Sequence, residues 1–243
     1  MIEIAGMKKT YRGTDFKVEA LREIDLHIET GEFVSIMGES GSGKSTLLNC
    51  IGLMDFFDEG SYMLNGTQIN GIEKKKLVEL RKNTVSFIFQ NYELMRNFTL
   101  YENIEIPLLA KNVRRKKRKE IIADTAAKLG IESLMNKYPY QVSGGQQQRA
   151  AIARALAIEP KLLICDEATS ALDVTVQKEI LELLNELRAQ QGQSLSILFI
   201  CHDISLVQQF ADRVLVMYHG NIVEAGTPDE VIRGPKNDYT KRL

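Results

Sequence analysis

The sequence predicts an α/β domain with a largely parallel sheet and a helical subdomain set into it, and three features lead to that expectation. Short β-rich apolar runs alternate along the chain with amphipathic helical patterns. A Gly/Ser cluster at residues 38–45 separates one such run from a helical segment. Residues 100–142 change character and read as helices without a strand signal.

Taken in order, residues 32–37 form an apolar run that reads as the first clear core strand, and residues 44–53 follow as a helix. Residues 61–64 and 84–89 are further strands, the second closing just before Gln90. Residues 100–110 and 114–129 read as helices, and residues 131–140 show no strand signal. A helix over 146–157 leads into a strand at 162–165, a helix over 174–191 and a strand at 196–201. Strands at 213–218 and 221–224 flank His219 and Gly220 as a hairpin. No internal repeat or low-complexity linker is present, so one domain over residues 1–243 is expected rather than a tandem array.

Bulk properties narrow the function. Of 243 residues, 44% are hydrophobic and 26% charged, a globular composition. A net charge of −1 and a pI near 6.4 provide no global basic field for nucleic acid or an anionic membrane, and no nucleic-acid partner is expected. The longest apolar stretches, such as 195–201, fall far short of the roughly 20 residues needed to span a bilayer. Residues 1–13 carry Glu3, Lys8, Lys9 and Arg12 and lack the apolar segment of a secretory signal, so a cytosolic location is expected. Cys50, Cys165 and Cys201 are widely spaced in apolar surroundings and read as reduced core thiols.

Chemistry concentrates first at Gly38, Glu39, Ser40, Gly41, Ser42, Gly43, Lys44 and Ser45, which match GxxxxGK[ST] between a strand and a helix. Glycines let backbone N–H groups curl round a phosphate, and the helix N-terminus adds a favourable field. Lys44 supplies a point charge for β and γ phosphates, and Ser45 offers a hydroxyl to Mg²⁺. A plain Gly/Ser turn is the alternative reading. The apolar run 162–165 ends in adjacent carboxylates, Asp166 and Glu167, at the strand end where open α/β sheets bind ligands. Alternation separates the two side chains, so Asp166 can hold Mg²⁺ while Glu167 faces an attacking water. Read alone, the pair is equally an acidic turn closing a strand.

Val142, Ser143, Gly144, Gly145, Gln146, Gln147, Gln148 and Arg149 match the signature of the ABC ATPase family, which the chain resembles over essentially its whole length. Ser143 is a good N-cap, and the helix beginning near Gln146 directs its dipole at an anion. The resemblance implies a phosphate-loop ATPase with a mixed sheet core. Residues 1–90 and 158–243 would form that core with an antiparallel β part, and 91–157 a helical signature subdomain. It implies that Ser143, Gly144, Gly145 and Gln146 contact ATP held by a second chain, in a homodimer or heterodimer. It also implies an ATP site made of Tyr11, stacking on adenine, the loop Gly38 to Ser45, Thr46 and Gln90. Gln90 is similar to the loop glutamine that touches Mg²⁺ or water and couples to the membrane partner, which makes Ser45, Gln90 and Asp166 the metal set. Ser170, Ala171, Leu172 and Asp173 resemble the loop crossing between subunits, and His202 the switch histidine at the γ-phosphate. Glu167, His202 and Lys44 are then the catalytic residues.

Within the family the resemblance divides. Residues 31–157 are most similar to ATPases of the macrolide-exporter and lipoprotein-releasing group. Residues from 162 onward, including the closing 235–240, resemble ATPases of oligopeptide and nickel importers. The implied protein is an ATP-hydrolysing subunit at the inner face of the membrane, driving separate transmembrane permease subunits that move a peptide, lipoprotein or related compound. A non-transport ABC ATPase in translation or DNA maintenance is the alternative, against which stands the lack of a long heptad insertion. A nucleotide-binding regulator without turnover is a third, opposed by the presence of Glu167 and His202. Lys111 and the basic run 114–119 read as a solvated helix face, or as a contact for anionic headgroups or the permease.

Overall fold

Residues 2–28 alternate in burial, and that pattern builds a long antiparallel hairpin of β1 (Ile2–Arg12) and β2 (Lys17–Ile28). Ile2, Ile4 and Met7 on β1 and Leu21, Ile24, Leu26 and Ile28 on β2 are buried. The register slips between Ile4 and Met7, where Gly6 takes a positive φ of 61°. The computed structural model describes residues 1–14, 16–167, 174–190, 194–201 and 203–243. After the hairpin come β3 (Phe33–Met37), α1 (Lys44–Ile51), β4 (Glu59–Leu64), β5 (Thr67–Gln68), α2 (Lys74–Thr84) and β6 (Val85–Ile88). Three helices follow, α3 (Leu100–Ala110), α4 (Arg115–Lys128) and α5 (Gly144–Leu156). The chain then alternates through β7 (Leu162–Cys165), α6 (Val174–Gln190), β8 (Ser196–Ile200) and α7 (Ile204–Phe210) before the hairpin of β9 (Arg213–Tyr218) and β10 (Asn221–Gly226).

The strands form two sheets. One has the order β2-β1-β4-β5 and is antiparallel; the other has the order β10-β9-β3-β8-β7-β6, with every neighbouring pair parallel except β10 and β9. The expectation of a largely parallel sheet therefore holds for the second sheet, and the antiparallel first sheet agrees with the mixed sheet core that the resemblance implies. Strands β3, β7, β8 and β9 of the six-stranded sheet read as largely apolar runs because both faces are covered. Val34, Ile36, Leu162, Ile164, Leu198, Ile200, Leu215 and Met217 pack with α1 and the antiparallel sheet. Their alternate neighbours Phe33, Met37, Leu163, Cys165, Ile197, Phe199, Val214 and Val216 pack with α3 to α7. Each fully buried Leu, Ile or Phe contributes about 1.5–3 kcal/mol, so this two-sided core fixes the strand order on which the site depends. Cys50, Cys165 and Cys201 are buried in the core, and burial pushes the Cys50 pKa up to about 12.

Several expected boundaries move. The first helix stops at Ile51 rather than residue 53, because Leu53 takes a left-handed φ of 59°. The strand expected at 84–89 is Val85–Ile88, and Thr84 instead ends α2, a helix for which the sequence pattern gives no expectation. The helix expected from residue 146 begins at Gly144, since a capping box satisfies its first turn. Ser143 Oγ accepts from the Gln146 N–H at 3.3 Å and Gln146 Oε1 accepts from the Ser143 N–H at 3.0 Å. The basic run is only partly solvated. Lys111 Nζ donates to Ile158 O at 2.8 Å and Arg118 pairs with Glu105 at 2.8 Å, whereas Arg114 to Lys117 and Lys119 are exposed.

Candidate functional site

Strand β3 lies between β8 and β9, both of which come much later in the chain, so its carboxyl end is a switch point of the sheet. Residues 38–43 turn there into α1. Gly38, Gly41 and Gly43 have φ values of 142°, 79° and 105°. A Cβ on Gly38 would stand 2.2 Å from Met217 O and one on Gly43 2.5 Å from Ala20 O, so the loop's approach to β9 and β2 demands glycine at both. Gly43 caps α1 without a side-chain bond and the first turn holds no acid, which leaves helix N–H groups directed at an incoming anion. Ser42 Oγ is buried with no hydrogen-bond partner among the described residues. Lys44 is 5% exposed, and its Nζ donates to Gly38 O and Glu39 O, both at 2.8 Å. Burial lowers its pKa, opposed by the charges of Glu167, Asp166 and Glu39.

The two acids arrive from β7, which pairs with β6 up to the register Ile88 with Cys165. The Asp166 N–H donates to Ile88 O at 3.1 Å, and Ser45 Oγ donates to Asp166 Oδ1 at 3.1 Å. Burial and the neighbouring Glu167 charge raise the Asp166 pKa, against the Ser45 hydrogen bond. Gln90 Nε2, just beyond β6, donates to Glu167 Oε2 at 2.9 Å. Glu167 holds a left-handed φ of 47°, a conformation that costs a non-glycine residue on the order of 1 kcal/mol and that clusters at functional sites. These contacts gather a hydroxyl, an amide and two carboxylates from α1, the end of β6 and the end of β7. No group of three or more His, Cys, Asp and Glu is arranged to hold a metal among the described residues. A hydroxyl and one carboxylate beside a phosphate cradle fit a hard cation that takes its remaining ligands from phosphate and water.

A cavity of about 500 Å³ lies over this loop, and Tyr11, Ser40, Gly41, Gly43, Lys44, Ser45, Thr46 and Glu167 line it. Its volume suits a small organic ligand. A larger cavity of about 720 Å³ lies between α4 and the end of α5 and includes none of the expected site residues. Ser143, Gly144, Gly145 and Gln146 stand at the N-terminus of α5 and do not line the 500 Å³ cavity of their own chain. Ser170, Ala171, Leu172, Asp173 and His202 lie outside the described residues.

The structure adds residues that sequence reading missed. Lys17, Val18, Glu19, Ala20 and Arg22 of β2 line the cavity, as do His219 and Gly220. The His219-Gly220 turn was legible, with both φ values positive at 45° and 79°, but its place beside the loop depends on β9 pairing with β3. The Gly220 N–H donates to Ser42 O at 2.9 Å. Tyr239 is a second outside brace. Its hydroxyl accepts from the Glu39 N–H at 2.8 Å while its ring stacks on Tyr218 with centroids 4.1 Å apart. Tyr239→Phe keeps the stack and removes that acceptor, so any ligand of the loop should bind about two- to tenfold more weakly, the worth of one hydrogen bond. Calorimetric titration with a nucleoside triphosphate checks this.

Two side chains also fix the segment after Gln90. Asn103, fully buried, accepts from the Met95 N–H and donates to Met95 O, Phe98 O and Thr99 O. Arg154 donates to Tyr92 O and Glu93 O, whose residues both have left-handed φ values, 61° and 46°. Met95 and Phe98 remain exposed on this anchored turn.

Residues 21–170 match the family model described as ABC transporter. Over all 243 residues the chain is 39% identical to the methionine import ATP-binding protein MetN of Bordetella pertussis, spanning 100% of this chain and 66% of that protein. It is 38% identical to the methionine import ATP-binding protein MetN 4 of Oceanobacillus iheyensis, spanning 100% of this chain and 70% of that one. Among solved structures it resembles the ATP-binding cassette MJ0796 in a dimeric post-hydrolysis state bound to ADP and Pi. The TM-score is 0.86 at 34% identity, covering 94% of this chain and 99% of that one. It also resembles cbiO1 from Clostridium perfringens, part of the ABC transporter complex cbiONQ, with a TM-score of 0.84 at 29% identity, covering 96% and 90% of the two chains.

Proposed function

Because this chain belongs to the ABC transporter family, we propose that it is the ATP-hydrolysing subunit of a transport complex, energising a separate transmembrane permease by ATP-dependent pairing of two ATPase chains. The observation that supports this best is the convergence of Ser45 with Asp166, and of Gln90 with Glu167, beside Lys44 in the glycine cradle. The loop amides from Gly41 to Thr46 and the Lys44 ammonium bind the β and γ phosphates, and Tyr11 takes the adenine ring. Ser45, Asp166 and Gln90 would hold Mg²⁺, which when bound neutralises charge on phosphate oxygens. Glu167 accepts the proton of the attacking water, and Gln90, hydrogen-bonded to it, orients the same water. His202 contributes at the γ-phosphate. Phosphoryl transfer leaves the protein mainly positioning and charge stabilisation to perform, which is what rigid strand ends and a helix N-terminus provide.

Ser143, Gly144, Gly145 and Gln146 lie outside their own chain's cavity, so they complete the site of a second copy or of a paired ATPase, with residues 170–173 crossing between the two. In this reading residues 91–157 are the signature subdomain, and the turn anchored by Asn103 and Arg154 is the permease-facing surface. Among the described residues no helix is long and apolar enough to cross a membrane, and the subunit works at the cytoplasmic face through its permease. Identity of 39% and 38% to proteins named for methionine import, of which the chain spans 66% and 70%, supports import of methionine or a related compound. The peptide or lipoprotein substrates expected from the sequence rest on the resemblance of residues 31–157 and of residues from 162 onward. Phosphate release by the purified chain with MgATP tests the activity, and absence of both turnover and ATP binding would sink it. Charged substitutions at Met95 and Phe98 should abolish transport by the reconstituted complex and leave hydrolysis by the isolated chain within about twofold, as surface changes rarely disturb a fold.

A further inference from the structure

Lys9 and Tyr11 sit two apart on β1, across the register shift between Lys9 and Thr10, and their side chains converge on one point. Both reach one carboxylate. Lys9 Nζ donates to Asp55 Oδ1 at 2.9 Å and also to Phe56 O, and the Tyr11 hydroxyl donates to Asp55 Oδ2 at 2.8 Å. The Phe56 N–H donates to Asp55 Oδ1 at 2.7 Å, so both carboxylate oxygens are engaged. Lys9 is 8% exposed and its ammonium lies 5.0 Å from the centroid of the Tyr11 ring. Burial, which alone would lower the Lys9 pKa, is outweighed by the Asp55 hydrogen bond and charge. Burial and the bond to Asp55 raise the Tyr11 pKa, with the Thr46 hydroxyl beside it acting the other way. Tyr11 itself is 38% exposed and lines the cavity over the phosphate loop.

The place of Asp55 gives this arrangement its meaning. It follows the end of α1, the helix whose opposite end forms the phosphate cradle. Its N–H donates to Asn49 O of α1 at 3.2 Å, so through Asp55 the ring of Tyr11 is tied to the helix that positions the phosphates. Held in this way, the ring loses its rotamer freedom before a base arrives, and the cost of ordering it does not fall on the ligand.

We propose that Asp55, locked in place by Lys9, is a positioning residue that sets the orientation of Tyr11 and thereby the affinity of this site for the purine of its nucleotide. The proposal rests on the reading of Tyr11 as the base platform, and the test separates the two. Mg²⁺-dependent binding of ATP and of inorganic tripolyphosphate, which has phosphates but no base, is measured by calorimetry for wild type, Tyr11→Phe, Asp55→Ala, their double variant and Tyr11→Ala. Tyr11→Phe and Asp55→Ala should each weaken ATP about three- to tenfold, the double variant no more than the weaker single, and tripolyphosphate should bind all of them as wild type. If Tyr11→Ala loses ATP affinity while Tyr11→Phe and Asp55→Ala keep it, the platform stands and the positioning role is overturned. Wild-type ATP affinity in Tyr11→Ala removes the platform reading and the proposal with it. An equal loss of ATP and tripolyphosphate in Asp55→Ala means damage to the loop instead and also overturns the proposal. Tyr11→Phe removes a hydroxyl that also meets Thr46, so where Asp55→Ala does not fold, Asp55→Asn, which leaves one acceptor oxygen for three donors, takes its place. A loss of ATP affinity with tripolyphosphate unchanged is then expected, and wild-type ATP affinity overturns the proposal.

Discussion

Glu167→Gln is expected to slow ATP turnover by roughly 10²–10⁴-fold, the range for loss of a positioned general base, while ATP binding survives. Glutamine has nearly the same shape, so the Gln90 contact at 2.9 Å can persist in altered polarity, and only the base and one negative charge beside the phosphates are lost. The phosphate cradle is untouched, and the capped N-terminus of α5, with Ser143 and Gly144 exposed, still presents N–H groups to a partner's nucleotide. The stalled protein should therefore accumulate as an ATP-loaded pair of chains. Adding Ser143→Arg destroys the capping box and sets bulk where close approach to a phosphate is needed, so the pair should dissociate. Size-exclusion chromatography with light scattering, with and without ATP, reads both effects. A monomeric Glu167→Gln protein that also hydrolyses at the wild-type rate would end both the catalytic assignment and the shared-site model.

Legibility in the sequence follows physical cause. The helix Leu100–Ala110 matched its expectation residue for residue because Thr99 and Glu102 close a capping box at its start. Leu162–Cys165 and Arg213–Tyr218 matched because strands covered on both faces are unbroken apolar runs. The β1–β2 hairpin carries a weak strand signal because register slips after Ile4 and again near Lys9 disturb its alternation, and Glu3, Lys8, Lys9 and Arg12 dilute its apolar residues. Helix α2 begins with three lysines and buries only Leu77 and Thr84, too little for a periodic signal. At the candidate site, local motifs located the phosphate loop and the acids, but their meeting depends on strand order. Ser45 and Asp166 are 121 residues apart and touch only because β8 and β7 follow β3 across the sheet. Tyr239 and Glu39, 200 residues apart, have no local signal at all.

Lys44→Ala is expected to weaken MgATP binding about 100-fold or more, since charge-assisted hydrogen bonds to phosphate are worth about 3 kcal/mol and each 1.4 kcal/mol is tenfold. Lys44 is the only cation within the loop, and its ammonium already bridges Gly38 O and Glu39 O at the cradle's mouth. A backbone cradle without it still offers N–H dipoles but no full positive charge against the triphosphate. The fold should tolerate the change. Burial lowers the Lys44 pKa below its unfolded value, so the charged form opposes folding at pH values below that unfolded value, and removing it offsets the two lost hydrogen bonds. The expected signature is an apo thermal midpoint within a few degrees of wild type, joined to loss of the ATP-induced upward shift that ligand linkage produces. Calorimetry and thermal melts with and without MgATP measure the two halves separately. Wild-type ATP affinity in Lys44→Ala would show that the loop's amides alone hold the nucleotide, and the role given to Lys44 would have to be withdrawn.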